Sequence, residues 1–240
     1  MKKYIFAFLF FVLTYASALQ AASLQQADDF YRQGHFASAL GEYEELLRTY
    51  PNDPFLYYNI GNCYFKMGTK GLAVANYYRA FRLSPRDADI RHNLQLALQH
   101  SGERLVPAGM PVILHKAFFS LTLSELKGLC FVCIWAFCLV TAFWCWKRRA
   151  GWAVWTLLAC LLVSTGWYVG RFKLETRPLA VVAAPVAELR SGPGTSFPAS
   201  ANVAQGHLVL LQDSRDKWQE VVILSQGIKG WVEDSVLEKI

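Results

Sequence analysis

A chain of 240 residues that is 54% hydrophobic and only 18% charged, with eight Trp and sixteen Phe, has the balance of a membrane protein with modest soluble parts. Its net charge of +6 does not mark a nucleic-acid surface: residues 19–105 hold nine Lys/Arg against nine Asp/Glu, and residues 178–240 are acidic by two. The whole excess lies beside apolar runs, at Lys2–Lys3, Lys147–Arg149 and Arg171–Arg177, where basic residues act as membrane-topology determinants.

Residues 1–18 read as a secretory signal. Lys2 and Lys3 are the positive start, Tyr4 to Leu13 the apolar core, and Ala16-Ser17-Ala18 a small-residue cleavage site. An echo at a spacing of 34 follows. Gly34, Ala39, Tyr43, Leu46 and Pro51 reappear as Gly68, Ala73, Tyr77, Ala80 and Pro85. That is the tetratricopeptide period, in which each repeat is a pair of antiparallel helices. The repeats are 20–53 and 54–87. In the second, Gly61 lets helix B approach helix A, Gly68 ends helix A, and Pro85 breaks helix B. The first repeat carries Ala27 in place of Gly61. Ala88 to His100 reads as one more helix, with Ile90, Leu94, Ala97 and Leu98 on one side, capping the array within 19–100.

Residues 101–127 form a juxtamembrane linker. Pro107, Gly109 and Pro111 break helices, and the apolar Val112–Leu121 stretch suits a membrane surface. Thr122 and Glu125 have capping-box spacing. Residues 128–146 and 150–170 carry no charge and are long enough to span. Trp144, Trp146, Trp152, Trp167 and Tyr168 stand where interfacial aromatics belong. The basic turn Lys147–Arg149 is expected in the cytoplasm, which places both chain ends outside, in agreement with the signal. Five of six cysteines sit in the apolar stretches, leaving Cys63 alone in a soluble part, so Cys130 and Cys133 read as small membrane residues rather than a redox pair.

Residues 178–240 are β in character. Short runs at Val181-Val182, Val203, Leu208–Leu211, Val221–Leu224 and Trp231-Val232 alternate with turn residues and predict five strands in a small barrel. Leu189-Arg190-Ser191-Gly192-Pro193-Gly194 and Gly230-Trp231-Val232 resemble a bacterial SH3-like (SH3b) domain. The expected fold is thus multidomain, α + membrane + β: tetratricopeptide α-hairpins, two transmembrane helices and a small SH3-like β-barrel.

In this order of parts the chain resembles the BatE proteins of the Bat aerotolerance operons. The resemblance implies a bacterial inner-membrane protein with both soluble parts outside the cytoplasm. It also implies an interaction scaffold working with von Willebrand factor A membrane proteins and a MoxR-type ATPase. A second reading is a sensor or wall-anchoring receptor whose SH3-like domain reads peptidoglycan.

The candidate peptide groove consists of Asp28, Tyr31, Tyr58, Asn62, Phe65 and His92, with Lys66 placed to meet a terminal carboxylate. On the SH3-like part the candidates are Phe197, Trp218 and Trp231, although Trp231 lies within a predicted strand and reads first as core. No catalytic residue is expected. The five histidines lack metal-ligand spacing, and no phosphate loop or nucleophile elbow is present, so neither enzyme chemistry, metal nor cofactor is expected.

Overall fold

A computed structural model describes residues 23–106, 109–147 and 151–240. The expected signal segment, 1–18, and Arg148 and Arg149 of the basic turn lie outside them. The chain divides into two compact units. One joins the helical repeats to the C-terminal sheet (up to Leu83, Ala88–Leu105 and Leu179–Ile240). The other holds Ser84–Asp87 and Val106–Pro178.

In the first unit, α1 covers 23–32, followed by α2 (Phe36–Thr49), α3 (Pro54–Lys66), α4 (Lys70–Leu83) and α5 (Ala88–Gln99). The 34-residue period is visible in the backbone itself. Gly34 and Gly68 sit at φ +81° and +82°, in the left-handed region that a residue with a Cβ avoids. Around each the same pair of bonds closes the preceding helix. The Gly34 amide donates to Tyr31 O (3.0 Å) and the His35 amide to Phe30 O (2.9 Å); one period on, Gly68 donates to Phe65 O (3.2 Å) and Thr69 to Tyr64 O (3.0 Å). This is the Schellman termination, used twice. At the start of α3, Asp53 caps the Phe55 amide at 2.8 Å and Pro54 takes the first turn, where its missing N–H leaves nothing unsatisfied.

Ala27, Ala39, Tyr43, Leu46, Leu56, Ile60 and Cys63 form the core of the first repeat and its junction with α3. Gly61 lies against the ring of Tyr77, where a Cβ would approach within 2.7 Å of two ring carbons. Ile90, Leu94, Ala97 and Leu98 are the buried residues of α5, the stripe its sequence pattern predicts. By contrast α4 is buried on several sides, at Gly71, Val74, Ala75, Asn76, Tyr77, Ala80 and Phe81 among others. Its second covering is the C-terminal sheet.

That sheet has seven antiparallel strands: β1 Leu179–Val182, β2 Val186–Arg190, β3 Ala199–Ala204, β4 Leu208–Arg215, β5 Trp218–Ile223, β6 Lys229–Glu233 and β7 Leu237–Lys239. Their order is β3-β2-β6-β5-β4-β1-β7. The expected number was five. The two additional strands are β2 and β7; β2 alternates Val186, Ala187, Glu188, Leu189 and Arg190 without an apolar run, and β7 is only three residues long. The order leaves β3 and β7 at opposite ends, so strand pairing alone does not close the expected barrel. Between β4 and β5 only Asp216 and Lys217 turn the chain, with Asp216 at φ +52°, as a two-residue hairpin requires. Leu189, Val203, Val209, Val221, Ile223 and Val232 build the core on one face.

β1 and β7 lie against α4. Arg79 of α4 pairs with Glu238 Oε1 at 2.5 Å and also donates to Lys239 O. Ser101 Oγ donates to Gly206 O at 3.1 Å. Glu103, 6% exposed, accepts from Ser225 Oγ at 2.6 Å and meets His207 Nδ1 at 3.0 Å. Helical repeats and sheet are therefore one packed body. Covering the end strand β7 with a helix also removes an exposed sheet edge.

The second unit contains α6 (Val112–Phe118), α7 (Leu123–Lys147) and α8 (Gly151–Glu175). The capping box forms: the Thr122 amide donates to Glu125 Oε2 (2.8 Å) and the Glu125 amide to Thr122 Oγ1 (3.2 Å). With 25 residues each, α7 and α8 are long and apolar enough to cross a membrane. They pack side by side with large apolar side chains turned outward, including Phe131, Trp135, Leu139, Trp155, Leu162 and Val163.

Candidate functional site

Helices α1, α3 and α5 carry the predicted groove residues, and three of these, Asp28, Tyr58 and Asn62, are hydrogen-bonded within the fold. Tyr43 OH donates to Asp28 Oδ1 at 2.5 Å, and one period later Tyr77 OH donates to Asn62 Oδ1 at 2.7 Å. Each bond joins residues fifteen apart, from helix B back to helix A of the same repeat. The first use of Asp28 and Asn62 is therefore to lock the two helices of a hairpin together.

Around Asn62 the bonds extend into a network. Asn93 Nδ2 donates both to Tyr58 OH (2.9 Å) and to Asn62 Oδ1 (3.1 Å), tying α5 to α3. The Tyr58 and Tyr77 rings lie 5.9 Å apart. Asn93 is a member of this site that the sequence reading did not select, although its position one helical turn before Ala97 on the capping helix was visible. Tyr31 packs edge-on against Phe36 at 5.3 Å, and Phe65 lies 5.9 Å from the His100 ring. Lys66 and His92 are exposed, and Tyr31, Tyr58, Asn62 and Phe65 are half-buried. The arrangement is a partly open row of phenol, carboxamide and ring surfaces, with Lys66 and His92 accessible beside it.

Burial shapes the acidity of this region. It pushes the Tyr43 and Tyr77 phenols well above their ordinary value, Tyr43 being raised further by its bond to Asp28. Burial is also the main reason that the Cys63 thiol and the Tyr64 phenol are each pushed up to about 12, with the Glu44 carboxylate adding to both. These groups stay protonated and neutral at physiological pH. They act as hydrogen-bond donors or packing groups and not as nucleophiles.

A second depression, of about 380 Å³, lies between the α1–α2 turn and the end of α3, lined by Gly34, His35, Phe36, Ala37, Ser38 and Met67. Sequence reasoning did not point to it, because its lining is mostly turn backbone.

On the sheet, Trp218 and Trp231 share the outer face, since β5 and β6 pair Trp218 with Glu233 and Glu220 with Trp231. Trp218 lines a cleft of about 210 Å³ with Val186, Glu188, Arg190, Thr195 and Glu233. Phe197 covers Gly192, where a Cβ would lie 2.5 Å from its ring. Trp231 is only 7% exposed and lies beneath the Arg215 guanidinium, 5.5 Å from the ring centre. It neighbours buried Val232 along β6, and the alternation of side chains puts it on the face opposite the apolar core. Its burial therefore comes from Arg215 and neighbouring outer-face side chains, where core packing had been expected. Arg190, from the Leu-Arg-Ser-Gly motif, ties the following loop by donating to Thr195 O (3.0 Å) and Phe197 O (2.7 Å). Among the described residues no group of three or more His, Cys, Asp or Glu is arranged to hold a metal ion.

None of the curated proteins matches the chain. Among solved structures, it is similar to the crystal structure of the yeast Tom70, at 15% identity and a TM-score of 0.35, over 68% of this chain and 27% of that one. The chain thus spans about a quarter of that structure's length, and a likeness this low fixes neither fold nor function. The family model described as tetratricopeptide repeat matches residues 56–87, the stretch that holds Tyr58, Asn62 and Tyr77. The second of the two helix pairs is a tetratricopeptide repeat.

Proposed function

We propose that this protein is a membrane-anchored protein–protein interaction scaffold of the bacterial cell envelope. In this reading it is BatE-like and assembles with von Willebrand factor A proteins and a MoxR-type ATPase in envelope stress or aerotolerance. One observation carries the binding role: the tetratricopeptide match at 56–87 falls on the helix pair that presents Tyr58, Asn62, Phe65 and Lys66. Such repeats offer a helix-lined surface to an extended peptide. Packing of the sheet on α4 leaves that surface to α1, α3 and α5. The side chains suit a peptide backbone met by carboxamide and phenol groups and a carboxylate met by Lys66.

The reading makes the chain a binding protein and not an enzyme. It places α7 and α8 across the inner membrane, the Lys147–Arg149 turn in the cytoplasm and both soluble parts outside. Support comes from two directions. Each helix, at 25 residues, is about 37 Å long against a hydrocarbon core of roughly 30 Å. In addition, the segments before and after the hairpin are packed into one unit, which supports placing both on the same side and fits an even number of crossings.

The test is recovery of envelope partners by the full-length protein from solubilised membranes after crosslinking. Lys66→Glu should reduce recovery while leaving the Asn62 bonds intact. Unchanged recovery with Lys66→Glu and with the Asn62→Ala/Lys66→Glu pair would remove the groove from consideration.

The second reading, an SH3-like wall-binding domain, draws on the cleft beside Trp218, which an amine-bearing stem peptide could enter between Glu188 and Glu233. Full-length protein should then co-sediment with purified sacculi, and Trp218→Ala should abolish it. No co-sedimentation of the parent chain ends this reading.

A further inference from the structure

The most unusual buried charge in the molecule is Arg171, 1% exposed, near the end of α8. Its Nη1 donates to Phe118 O (3.0 Å) and Leu121 O (2.8 Å), its Nε donates to Glu175 Oε1 (3.1 Å), and its Nη2 meets the same carboxylate oxygen. The guanidinium carbon lies 4.4 Å from the centre of the Phe119 ring. Trp167 Nε1 adds a second donor to Phe118 O at 3.0 Å. Phe118 ends α6, and Phe118 and Leu121 present carbonyls that no further helical turn can satisfy. A buried arginine with a paired carboxylate and two backbone acceptors thus fastens the C-terminal end of α6 to α8.

Among the described residues, the first turn of α6 has no such fastening. Val112, Ile113 and Leu114 are 56%, 77% and 58% exposed, three consecutive apolar residues in a seven-residue helix. Water is a poor environment for such a run, because apolar surface left in contact with it forgoes the gain of burial. The helix is joined to the end of an apolar hairpin. At that same end Lys116, Lys127, Lys173 and Arg177 are exposed, and none of them has an ion-pair partner among the described residues.

We propose that α6 is an interfacial anchor for an anionic lipid surface. Arg171 acts as the positioning residue that holds it in the membrane plane. Val112, Ile113 and Leu114 enter the boundary between headgroups and acyl chains, and the four free cations lie over lipid phosphates. Charge complementarity and continuity with the apolar hairpin select lipid as the occupant. The inference rests on the reading that α7 and α8 span a membrane, and adds a site on the membrane surface to it.

The test uses full-length protein with the six cysteines replaced by serine, in vesicles of phosphatidylcholine with phosphatidylglycerol and of phosphatidylcholine alone. Single cysteines at Ile113, Lys116 and Leu139 carry nitroxide labels, and accessibility to oxygen and to a nickel chelate is measured. Leu139, in the middle of α7, reports spanning, so the two ideas fail separately. A nickel-accessible label at 139 overturns the spanning reading and the anchor with it. A lipid-protected label at 139 with a nickel-accessible label at 113 overturns the anchor alone. The expected result is protection at both, with exposure at 116 and deeper immersion of 113 in the anionic vesicles. Equal immersion in the two vesicle types overturns the role of the cations. Arg171→Leu should raise nickel accessibility at 113 several-fold while 139 stays protected, and Arg171→Lys should restore immersion only in part. An unchanged label at 113 in Arg171→Leu overturns the positioning role. If that variant fails to insert, the contrast between 113 and 116 in the parent protein decides the matter.

Discussion

Gly71 of α4 lies directly against the carbonyl oxygen of Val182 in β1, so closely that a Cβ on Gly71 would overlap it and would come within 2.9 Å of the Ala183 Cα. The oxygen is not free to withdraw, because it accepts the Gly206 amide at 2.8 Å. Helix propensity alone favours Gly71→Ala by about 1 kcal/mol, but overlap with fixed backbone opposes it by roughly 1–3 kcal/mol. We expect Gly71→Ala to unfold a few degrees below the parent chain in a thermal melt followed by circular dichroism. A higher melting temperature would show that α4 and β1 are not in contact.

The paired bonds Tyr43–Asp28 and Tyr77–Asn62 predict a matched effect. Removing either hydroxyl by Tyr→Phe should destabilise the helical repeats by about 1 kcal/mol. A double-mutant cycle between Tyr77→Phe and Asn62→Ala should show coupling above roughly 0.5 kcal/mol. Additivity in urea unfolding would mean that the hydroxyl contributes without the partner seen here.

Stability should fall on the alkaline side. Cys63 ordinarily ionises near 9.0 and Tyr64 near 10.0, and burial with Glu44 pushes both up to about 12. The unfolded chain therefore releases these protons before the folded one does. Their contribution is fully present below pH 9 and is lost as pH rises from 9 towards 12. The urea midpoint should drop steadily across that range and should drop less in Cys63→Ala. In the same sense, iodoacetamide at pH 8 should leave Cys63 unmodified until denaturant is added, as peptide mapping would show.

Glu103 is a buried acidic group at the contact between repeats and sheet. Glu103→Ala should cost about 1–3 kcal/mol, because Ser225 and His207 lose their common partner in a buried position. Limited proteolysis should then cut near residues 102–106 sooner than in the parent. Equal cleavage rates would indicate that the contact opens on its own.

The helical period, the capping helix and the capping box were all readable before the structure, because each is a local pattern: a glycine forced into the left-handed region, an apolar stripe, a Thr and a Glu three apart. Strands with large β-branched runs were readable for the same reason. β2, with Ala187 and Leu189 as its only inward residues, carries no apolar run, and β7 is three residues long. The contacts of Gly71 with Val182 and of Arg79 with Glu238 join positions more than a hundred residues apart and leave no periodic trace. Asp28 and Asn62 were selected as polar groups facing a groove, but that choice overlooked the tyrosines fifteen residues on, which recur with them at the same 34-residue spacing.

Covering α4 with β1 and β7 has a consequence for synthesis. The repeats finish emerging near residue 105, while the strands that shield α4 come from 179–182 and 237–239. At about 5–20 residues per second, translation of the intervening stretch takes on the order of ten seconds. Throughout that interval the sheet-facing side of α4 is bare and the hairpin must already be placed. The unit is then sealed by its last strand, so a nascent chain stalled after the hairpin would present Gly71, Val74 and Arg79 to whatever quality-control machinery surrounds it.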